Sequence, residues 1–346
     1  MTNKPPTKLN NITNQILVTF GSVLILSIIC LILFYFDAFP KNLFQSSEKT
    51  SDIYFMNYDV SLLDDSEENR EIKYGFELFI NTPKYIGPDN GNPDFVYSGN
   101  RLACKNCHLD NGTKPYSAPL IGIIQRFPQF RGRENKMGTI IERINGCMER
   151  SMNGIMMPSE SKEMKAIVKY LEFLSRYAPE DGKIQGKGFV KVKIPNRAID
   201  LEKGKLIFKE HCIVCHQTDG QGVRSENDFT YQYPPLWGDD SFNNGAGMTR
   251  VITAARFIKA NMPFGTTFDS IVLSDEEAYD VAGYINLQQR PKKKNPELDF
   301  PDIKKKPVST PYPPYADNFS IEQHQKGPFQ PIIEYYKKQF NITKTK

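Results

Sequence analysis

Two five-residue motifs constrain this chain more than any other feature of its sequence. They are CKNCH at Cys104 to His108 and CIVCH at Cys212 to His216. Two cysteines three positions apart can both bond to one edge of a porphyrin, and the histidine that follows then lies beneath the iron. The motifs therefore predict two covalently attached haem c groups. The attaching residues are Cys104, Cys107 and His108 for one group, and Cys212, Cys215 and His216 for the other.

The six cysteines of the chain also allow a different interpretation. Two CxxC pairs can in principle wrap a single zinc ion. Each pair here is followed at once by histidine and lies in a repeated context, which favours haem. The motifs account for four cysteines, whereas Cys30 lies in an apolar run and Cys147 stands by itself between the motifs.

The same order of features surrounds both motifs, which indicates an internal duplication. Each copy has an amphipathic stretch, the CxxCH motif, a proline-leucine turn, a methionine followed by proline, and a closing helix. The opening stretches are predicted at 71–82 and 198–210, and the closing helices at 162–176 and 274–289. Their apolar faces are predicted to be Ile72, Phe76, Leu78, Phe79 and Ile80 in the first copy, and Ile199, Leu201, Leu206, Ile207 and Phe208 in the second.

The haem ligands need support from the rest of each copy. A backbone carbonyl near Pro119 or Pro235 is the expected acceptor for the free N–H of each ligand histidine. Met262, in the stretch AARFIKANMPFG, is the expected sixth ligand of the second iron. The alternative for this methionine is ordinary core packing.

Two residues compete for the sixth position of the first iron. The duplication favours Met157, because His108 to Met157 spans 49 residues and His216 to Met262 spans 46. Cys147 is an addition that duplication does not explain, and arginines around it would keep its thiolate ionised. If 144–154 is helical, Arg143, Cys147 and Ser151 share one stripe at i, i+4 and i+8. The sequence therefore places the chemistry at this stretch.

The ends of the chain differ from the two copies. Ile16 to Phe36 carries no charge and would span about 30 Å as a helix, so it is expected to anchor the chain in a membrane. Lys4 and Lys8 precede it, which places the remainder on the periplasmic side of the inner membrane. A cleaved signal peptide is the competing interpretation. The C-terminal stretch 291–330 is proline-rich and is not expected to form regular helix or central strand, whereas 332–340 is predicted to form one short helix.

The predicted organisation is mainly α, with two tandem class I cytochrome c-like domains. Its segments are a cytoplasmic N-terminus (1–15), a transmembrane anchor (16–36), a tether (37–70), a first haem domain (71–185), a second haem domain (186–295) and a proline-rich tail (296–346). The net charge of +4 over 346 residues gives no support to a nucleic-acid partner.

The two motifs, ERINGCMERSMNG between them and FIKANMPFG after the second resemble the tetrathionate-forming thiosulfate dehydrogenases, which are periplasmic dihaem cytochromes c. The resemblance extends over about 75–290. It implies that His108 and Cys147 ligate the active-site haem, that Arg133, Arg143 and Ser151 surround the substrate, and that His216 and Met262 ligate the second haem. Some members have lysine directly before the methionine, whereas this chain has Asn261 and its nearest lysine is Lys259. Exchange of that ligand is therefore not expected here.

The resemblance implies a dihaem oxidoreductase that interconverts thiosulfate and tetrathionate and exchanges electrons with a cytochrome c partner. The alternative is a membrane-anchored electron carrier without a substrate, in which Met157 ligates the first iron and Cys147 is a buried apolar residue. A dihaem peroxidase is less favoured, because candidate ligands exist for both irons.

Overall fold

The computed structural model describes residues 7–35, 52–225 and 229–345; within 7–35, side chains are described only at residue 12 and at 14–29. The chain divides into two compact units, 1–49 and 50–346. The helices of the described residues are α1 (Thr7–Tyr35), α2 (Glu67–Ile80), α3 (Thr82–Ile86), α4 (Leu109–Gly112), α5 (Ile140–Arg150), α6 (Lys162–Ser175), α7 (Leu201–His211), α8 (Ile213–His216), α9 (Val251–Asn261), α10 (Asp275–Asn286), α11 (Ile321–Lys326) and α12 (Gln330–Phe340). Short antiparallel ribbons pair β1 (Gln129–Arg131) with β2 (Lys136–Gly138), and β3 (Val223–Arg224) with β4 (Tyr231–Tyr233).

The first unit is described by the helix α1, which has 29 residues. Most of the predicted anchor, 16–36, lies in this helix, and Phe36 is outside the described residues. Within the described part of the chain, no helix is both long and apolar enough to cross a bilayer. The structure therefore does not support the predicted anchor.

The first haem domain is built on the packing of α2 against α6. The sequence forms these helices because Ser66 and Ser161 cap their first turns and apolar residues recur on one face. Gly75 lies where the two helices approach most closely, since a Cβ there would lie 1.9 Å from the carbonyl oxygen of Ala166. The predicted apolar face of α2 packs into this core: Ile72, Leu78 and Phe79 are buried, and Phe76 and Ile80 are partly buried.

The second haem domain repeats this arrangement, with α10 packed on both α7 and α9. Gly204 of α7 corresponds to Gly75, because a Cβ there would lie 2.3 Å from the carbonyl oxygen of Asp280 in α10. A capping box of Ser274 and Glu277 starts α10. Two members of the predicted apolar face were wrong: Leu201 and Leu206 are exposed, whereas Ile207 and Phe208 of the same helix are buried.

The C-terminal segment, residues 291–345, packs on the haem domains. Phe329, Ile332 and Tyr336 bury their side chains in the core of the second domain. The predicted short helix 332–340 lies within α12. The prediction that 291–330 contains no regular helix was wrong for α11, where Ser320 caps six residues that contain no proline.

Part of the predicted tether is also packed. Ile53 contacts Ile121 and Ile184 in a small apolar cluster, and Val60 joins the core of the first domain. The sequence does not predict this packing. The rest of the tether before it, residues 37–51, lies outside the described residues.

Candidate active site

Both motif histidines are held by a backbone carbonyl. The Nδ1 of His108 donates to the carbonyl oxygen of Ala118 at 2.8 Å, and the Nδ1 of His216 donates to that of Pro234 at 2.8 Å. These carbonyls directly precede Pro119 and Pro235, so the predicted acceptors are confirmed. The bond fixes the orientation of each ring and leaves Nε2 free to ligate a metal. Both histidines therefore fit the role of axial haem ligand.

The second motif lines a large cavity that suits a haem group. The cavity has a volume of about 920 Å³, and Cys212, Cys215, His216 and Met262 all lie in its wall. Apolar side chains make up much of the rest, among them Leu236, Phe257 and Ile258. Burial lowers the pKa of His216, which favours the neutral imidazole that a metal requires.

Lys259 does not reach this cavity. Its Nζ donates to the carbonyl oxygen of Leu273 at 2.7 Å and pairs with Asp275 at 3.0 Å. These two contacts hold the ammonium group on the side of α9 that faces the loop before α10. The geometry agrees with the expectation that this lysine does not replace Met262.

Cys147 lies against His108 in the first haem domain. The side chain of His108 hydrogen-bonds the thiol, and Nη1 of Arg143 donates to Sγ at 2.7 Å. Burial by itself would raise the pKa of Cys147, but the charge of Arg143 and the hydrogen bond from His108 lower it to about 6. The motif thiols of Cys104 and Cys107 behave in the opposite way, because burial raises the pKa of each to about 12. The lowered pKa thus favours the thiolate form of Cys147 at neutral pH.

Met157 is held on a different face of α5. Asn145 donates from Nδ2 to the carbonyl oxygen of Met157 at 3.0 Å, and the Met157 N–H donates to Oδ1 of Asn145 at 2.9 Å. Asn145 and Cys147 are two positions apart in the helix, so their side chains point about 200° apart around its axis. Met157 is also buried in the core cluster of the domain. This arrangement favours Cys147 over Met157 as the group that faces His108.

The helix α5 spans Ile140–Arg150 and differs at both ends from the stretch 144–154 that the sequence suggests as helical. Thr139 and Glu142 form a capping box, so the helix begins at Ile140. It ends at Arg150, and Ser151 is the C-cap, whose N–H donates to the carbonyl oxygen of Cys147. Among the described residues, no hydrogen bond of the Ser151 hydroxyl is present. Ser151 therefore keeps a free donor one turn beyond Cys147.

Arg133 is engaged by the C-terminal segment. It forms an ion pair with Asp299, contacts the Tyr312 hydroxyl at 3.4 Å and stacks on the ring of Phe300 at 4.9 Å. The structure thus brings Arg143 onto Cys147 and places Arg133 against residues outside the haem domains. Arg150 also reaches Asp299, at 3.4 Å.

Asn145 and Asp299 also belong to this region, and neither was predicted from the sequence. Asn145 has a detectable signal, because a buried asparagine in a helix needs partners for its amide. Asp299 has no local signal, since its partners come from distant parts of the chain.

In the ranges that the structure describes, no three histidine, cysteine, aspartate or glutamate side chains converge to hold a metal ion. None of the five cysteines with described side chains forms a disulfide bond.

Comparisons with known proteins agree with the two-domain organisation. Residues 97–179 match the family described as "SoxA/TsdA, cytochrome c domain", and residues 201–288 match "Cytochrome c". Two cytochrome c domains, each with its own CxxCH motif, carry two covalently attached haem c groups.

The chain is similar to curated proteins and to a solved structure. It is 41% identical over 244 residues to the thiosulfate dehydrogenase of Psychrobacter arcticus, which covers 70% of this chain and 71% of that protein. It is 38% identical over 243 residues to the thiosulfate dehydrogenase of Allochromatium vinosum, covering 69% and 85%. The solved thiosulfate dehydrogenase of Marichromatium purpuratum has a TM-score of 0.61 and 33% identity, over 68% of this chain and 49% of that one. This chain thus spans about half of that protein.

Proposed function

We propose that this chain, which belongs to the thiosulfate dehydrogenase family, interconverts thiosulfate and tetrathionate. In the oxidative direction, two thiosulfate ions are joined through an S–S bond and two electrons leave. The observation that carries the proposal is the Cys147 thiol, held between His108 and the guanidinium of Arg143. A reactive thiolate beside a cation has no role in an electron carrier that lacks a substrate.

Each domain offers a complete set of residues for its haem group. Cys104 and Cys107 would form the thioethers in the first domain, with His108 and Cys147 as axial ligands. The equivalent set in the second domain is Cys212, Cys215, His216 and Met262, which lie in the wall of one cavity. When bound, the two haem groups supply the one-electron acceptors that a two-electron oxidation needs.

Cys147, when it is not bound to the iron, is proposed to act as the nucleophile. Its thiolate and the sulfane sulfur of one thiosulfate form an S–S bond as two electrons leave, which gives a cysteine that carries the sulfane sulfur and its sulfonate. The sulfane sulfur of a second thiosulfate then attacks that of the adduct. The bond to Cys147 breaks, tetrathionate departs and the thiolate is restored. The reverse sequence cleaves tetrathionate, and no proton is consumed in either direction.

Arg143 has two tasks in this sequence. Its charge keeps Cys147 ionised, and its remaining N–H groups are proposed to bind the first thiosulfate. Two dianions repel each other strongly in a site from which water is excluded. A guanidinium offsets this repulsion and binds an oxyanion through two parallel N–H groups. Ser151, whose hydroxyl is free within the described residues, adds a neutral donor.

The electron partner is proposed to be a cytochrome c on the periplasmic side of the inner membrane. The second domain exposes apolar side chains beside its motif: Val214 is 81% exposed and Phe264 is 83% exposed. Apolar side chains at the edge of a haem cavity are suited to a transient interface with another redox protein.

The test compares Cys147→Gly with Met157→Leu in the full-length holoprotein. Thiosulfate oxidation and tetrathionate reduction are measured with artificial electron acceptors and donors. We expect Cys147→Gly to lose roughly 10³-fold or more in both directions, and Met157→Leu to stay within about threefold of the wild type. Wild-type rates in Cys147→Gly, or a wild-type protein inactive in both directions, would contradict the proposal.

A further inference from the structure

A group of buried cations surrounds Asp299, where the C-terminal segment packs on the haem domains. We call it the Asp299 cluster, and its cations are Arg133, Arg150, Arg250, Lys293 and Lys306. None of these side chains is more than 11% exposed. Arg133, Arg150 and Arg250 belong to the haem domains, whereas Lys293 and Lys306 come from the end of the second domain and the tail.

The cluster has more positive than negative charge. Asp299 is contacted by Arg133, Arg150 and Lys293, and Arg150 also reaches Glu134 at 3.2 Å and Glu149 at 3.8 Å. Arg131 shares Glu134 at 3.1 Å. Arg131 and the five cations of the cluster make six positive charges among the described residues. They face the three carboxylates of Asp299, Glu134 and Glu149, which leaves an excess of three positive charges. Burying such an excess is unfavourable unless another anion binds there.

Arg250 is a cation of the cluster that has no ionic partner among the described residues. It is 8% exposed, and within the described part of the chain its side chain makes no hydrogen bond and no ion pair. Its nearest aromatic contact is the ring of Phe300, at 5.9 Å. Burial, together with the charges of Arg133 and Arg150, lowers the pKa of Arg250 to about 9. An oxyanion could bridge such a guanidinium to the neighbouring cations Arg133 and Arg150.

The donors of the cluster already converge on one oxyanion, the carboxylate of Asp299. The Tyr312 hydroxyl donates to Oδ2 at 2.9 Å, Arg133 pairs with the same oxygen, and Arg150 and Lys293 lie 3.4 and 3.8 Å from Oδ1. A sulfonate group offers three oxygens of the same kind. The site is therefore chemically suited to one end of a thiosulfate or tetrathionate ion.

The position of the cluster relates it to Cys147. Arg150 follows Cys147 by three positions in α5, so the two side chains lie on one face of the helix. The negative charge of Cys147 acts on Arg150. An anion bound by Arg150 would thus lie beside the proposed nucleophile.

We propose that the Asp299 cluster binds the sulfonate of the second thiosulfate, so that the C-terminal segment supplies part of the substrate site through Lys293, Lys306 and Tyr312. This inference rests on the proposed function for the identity of the anion. The carboxylate of Asp299 competes with the substrate for Arg133 and Arg150, which limits how tightly the anion is held. The haem propionates carry the same chemistry and are the rival occupant.

The test measures binding of sulfate, a tetrahedral dianion that does not react, to the full-length holoprotein by calorimetry. Lys306→Met and Lys293→Met remove one cation each from the cluster. Lys344→Met is the control for Lys306, because Lys344 is also buried in the tail and donates to backbone carbonyls. Lys294→Met is the control for Lys293, as its exposed neighbour. Melting temperatures and the reduction potential of the first haem are recorded for every variant.

We expect Lys306→Met and Lys293→Met to raise the Kd for sulfate and the KM for thiosulfate about tenfold, the effect of losing one charge-assisted hydrogen bond. The controls should stay within about twofold of the wild type. Asp299→Asn should lower the Kd, because it removes the competing charge; a residue with a purely structural role would not produce this opposite sign.

Three results would overturn the inference: no sulfate binding by the wild type, equal affinity in the cluster variants and their controls, or unchanged affinity with a shifted potential of the first haem. The last would assign the cluster to the propionates. If the expected sulfate affinities are found in a protein that does not oxidise thiosulfate, the anion site stands and the proposed function fails.

Discussion

Removing the Asn145 side chain should destabilise the first haem domain by an amount that the structure sets. Asn145→Ala removes both hydrogen bonds to Met157, at 3.0 and 2.9 Å, in a fully buried place. The Met157 N–H and C=O then have no partner, and each unsatisfied group costs about 1–3 kcal/mol. We therefore expect the free energy of unfolding to fall by about 2–6 kcal/mol.

The assay is urea-induced unfolding of the holoprotein, followed by far-ultraviolet circular dichroism. Asn92→Ala is a matched control, because the Asn92 side chain also accepts a backbone hydrogen bond, from Asp94, but does so at the surface. It should cost about 1 kcal/mol or less. A loss in Asn145→Ala no larger than in the control would refute the account of how Met157 is held away from Cys147.

Three further predictions concern the second domain and the tail. Lys259→Ala should leave the spectrum of the second haem unchanged, because Leu273 and Asp275 already hold the ammonium group; a changed axial-ligand signature would show that this lysine reaches the iron. His324→Phe should cost about 3 kcal/mol or more in urea-induced unfolding, because it removes the imidazole that pairs with the buried carboxylate of Asp317 at 3.0 Å; a stability equal to the wild type would exclude His324 as an anchor of the tail. Burial lowers the pKa of Lys306 to about 8 from 10.5, so the unfolded chain binds more protons between these values and the stability of the wild type rises with pH there. The unfolding free energy of Lys306→Met relative to the wild type should accordingly fall between pH 8 and pH 10, and a constant difference would contradict the shift.

The local elements were predictable because their signals are local. The closing helices were predicted at 162–176 and 274–289 and found at Lys162–Ser175 and Asp275–Asn286, since Ser161 and Ser274 cap them. The acceptors of the histidine N–H groups followed from the need to orient a ligand ring. Thr139 and Glu142 carry the capping-box signal that starts α5 at Ile140, although the prediction began the helix four residues later.

The surroundings of the site depend on contacts between distant parts of the chain. Arg133 and Asp299 are 166 positions apart, and no pattern near either residue indicates the pairing. Nor does hydrophobicity alone decide burial on a short amphipathic helix, since Leu201 and Leu206 are exposed whereas Ile207 is buried. Such features arise only when the tail and both domains pack together.

The most direct test of the account is the low-temperature EPR spectrum of the oxidised protein. If Cys147 ligates the first iron, the wild type shows a low-spin signal of thiolate ligation, which Met157→Leu keeps and Cys147→Gly loses together with thiosulfate oxidation. A wild-type spectrum that persists in Cys147→Gly and is lost in Met157→Leu would contradict the account.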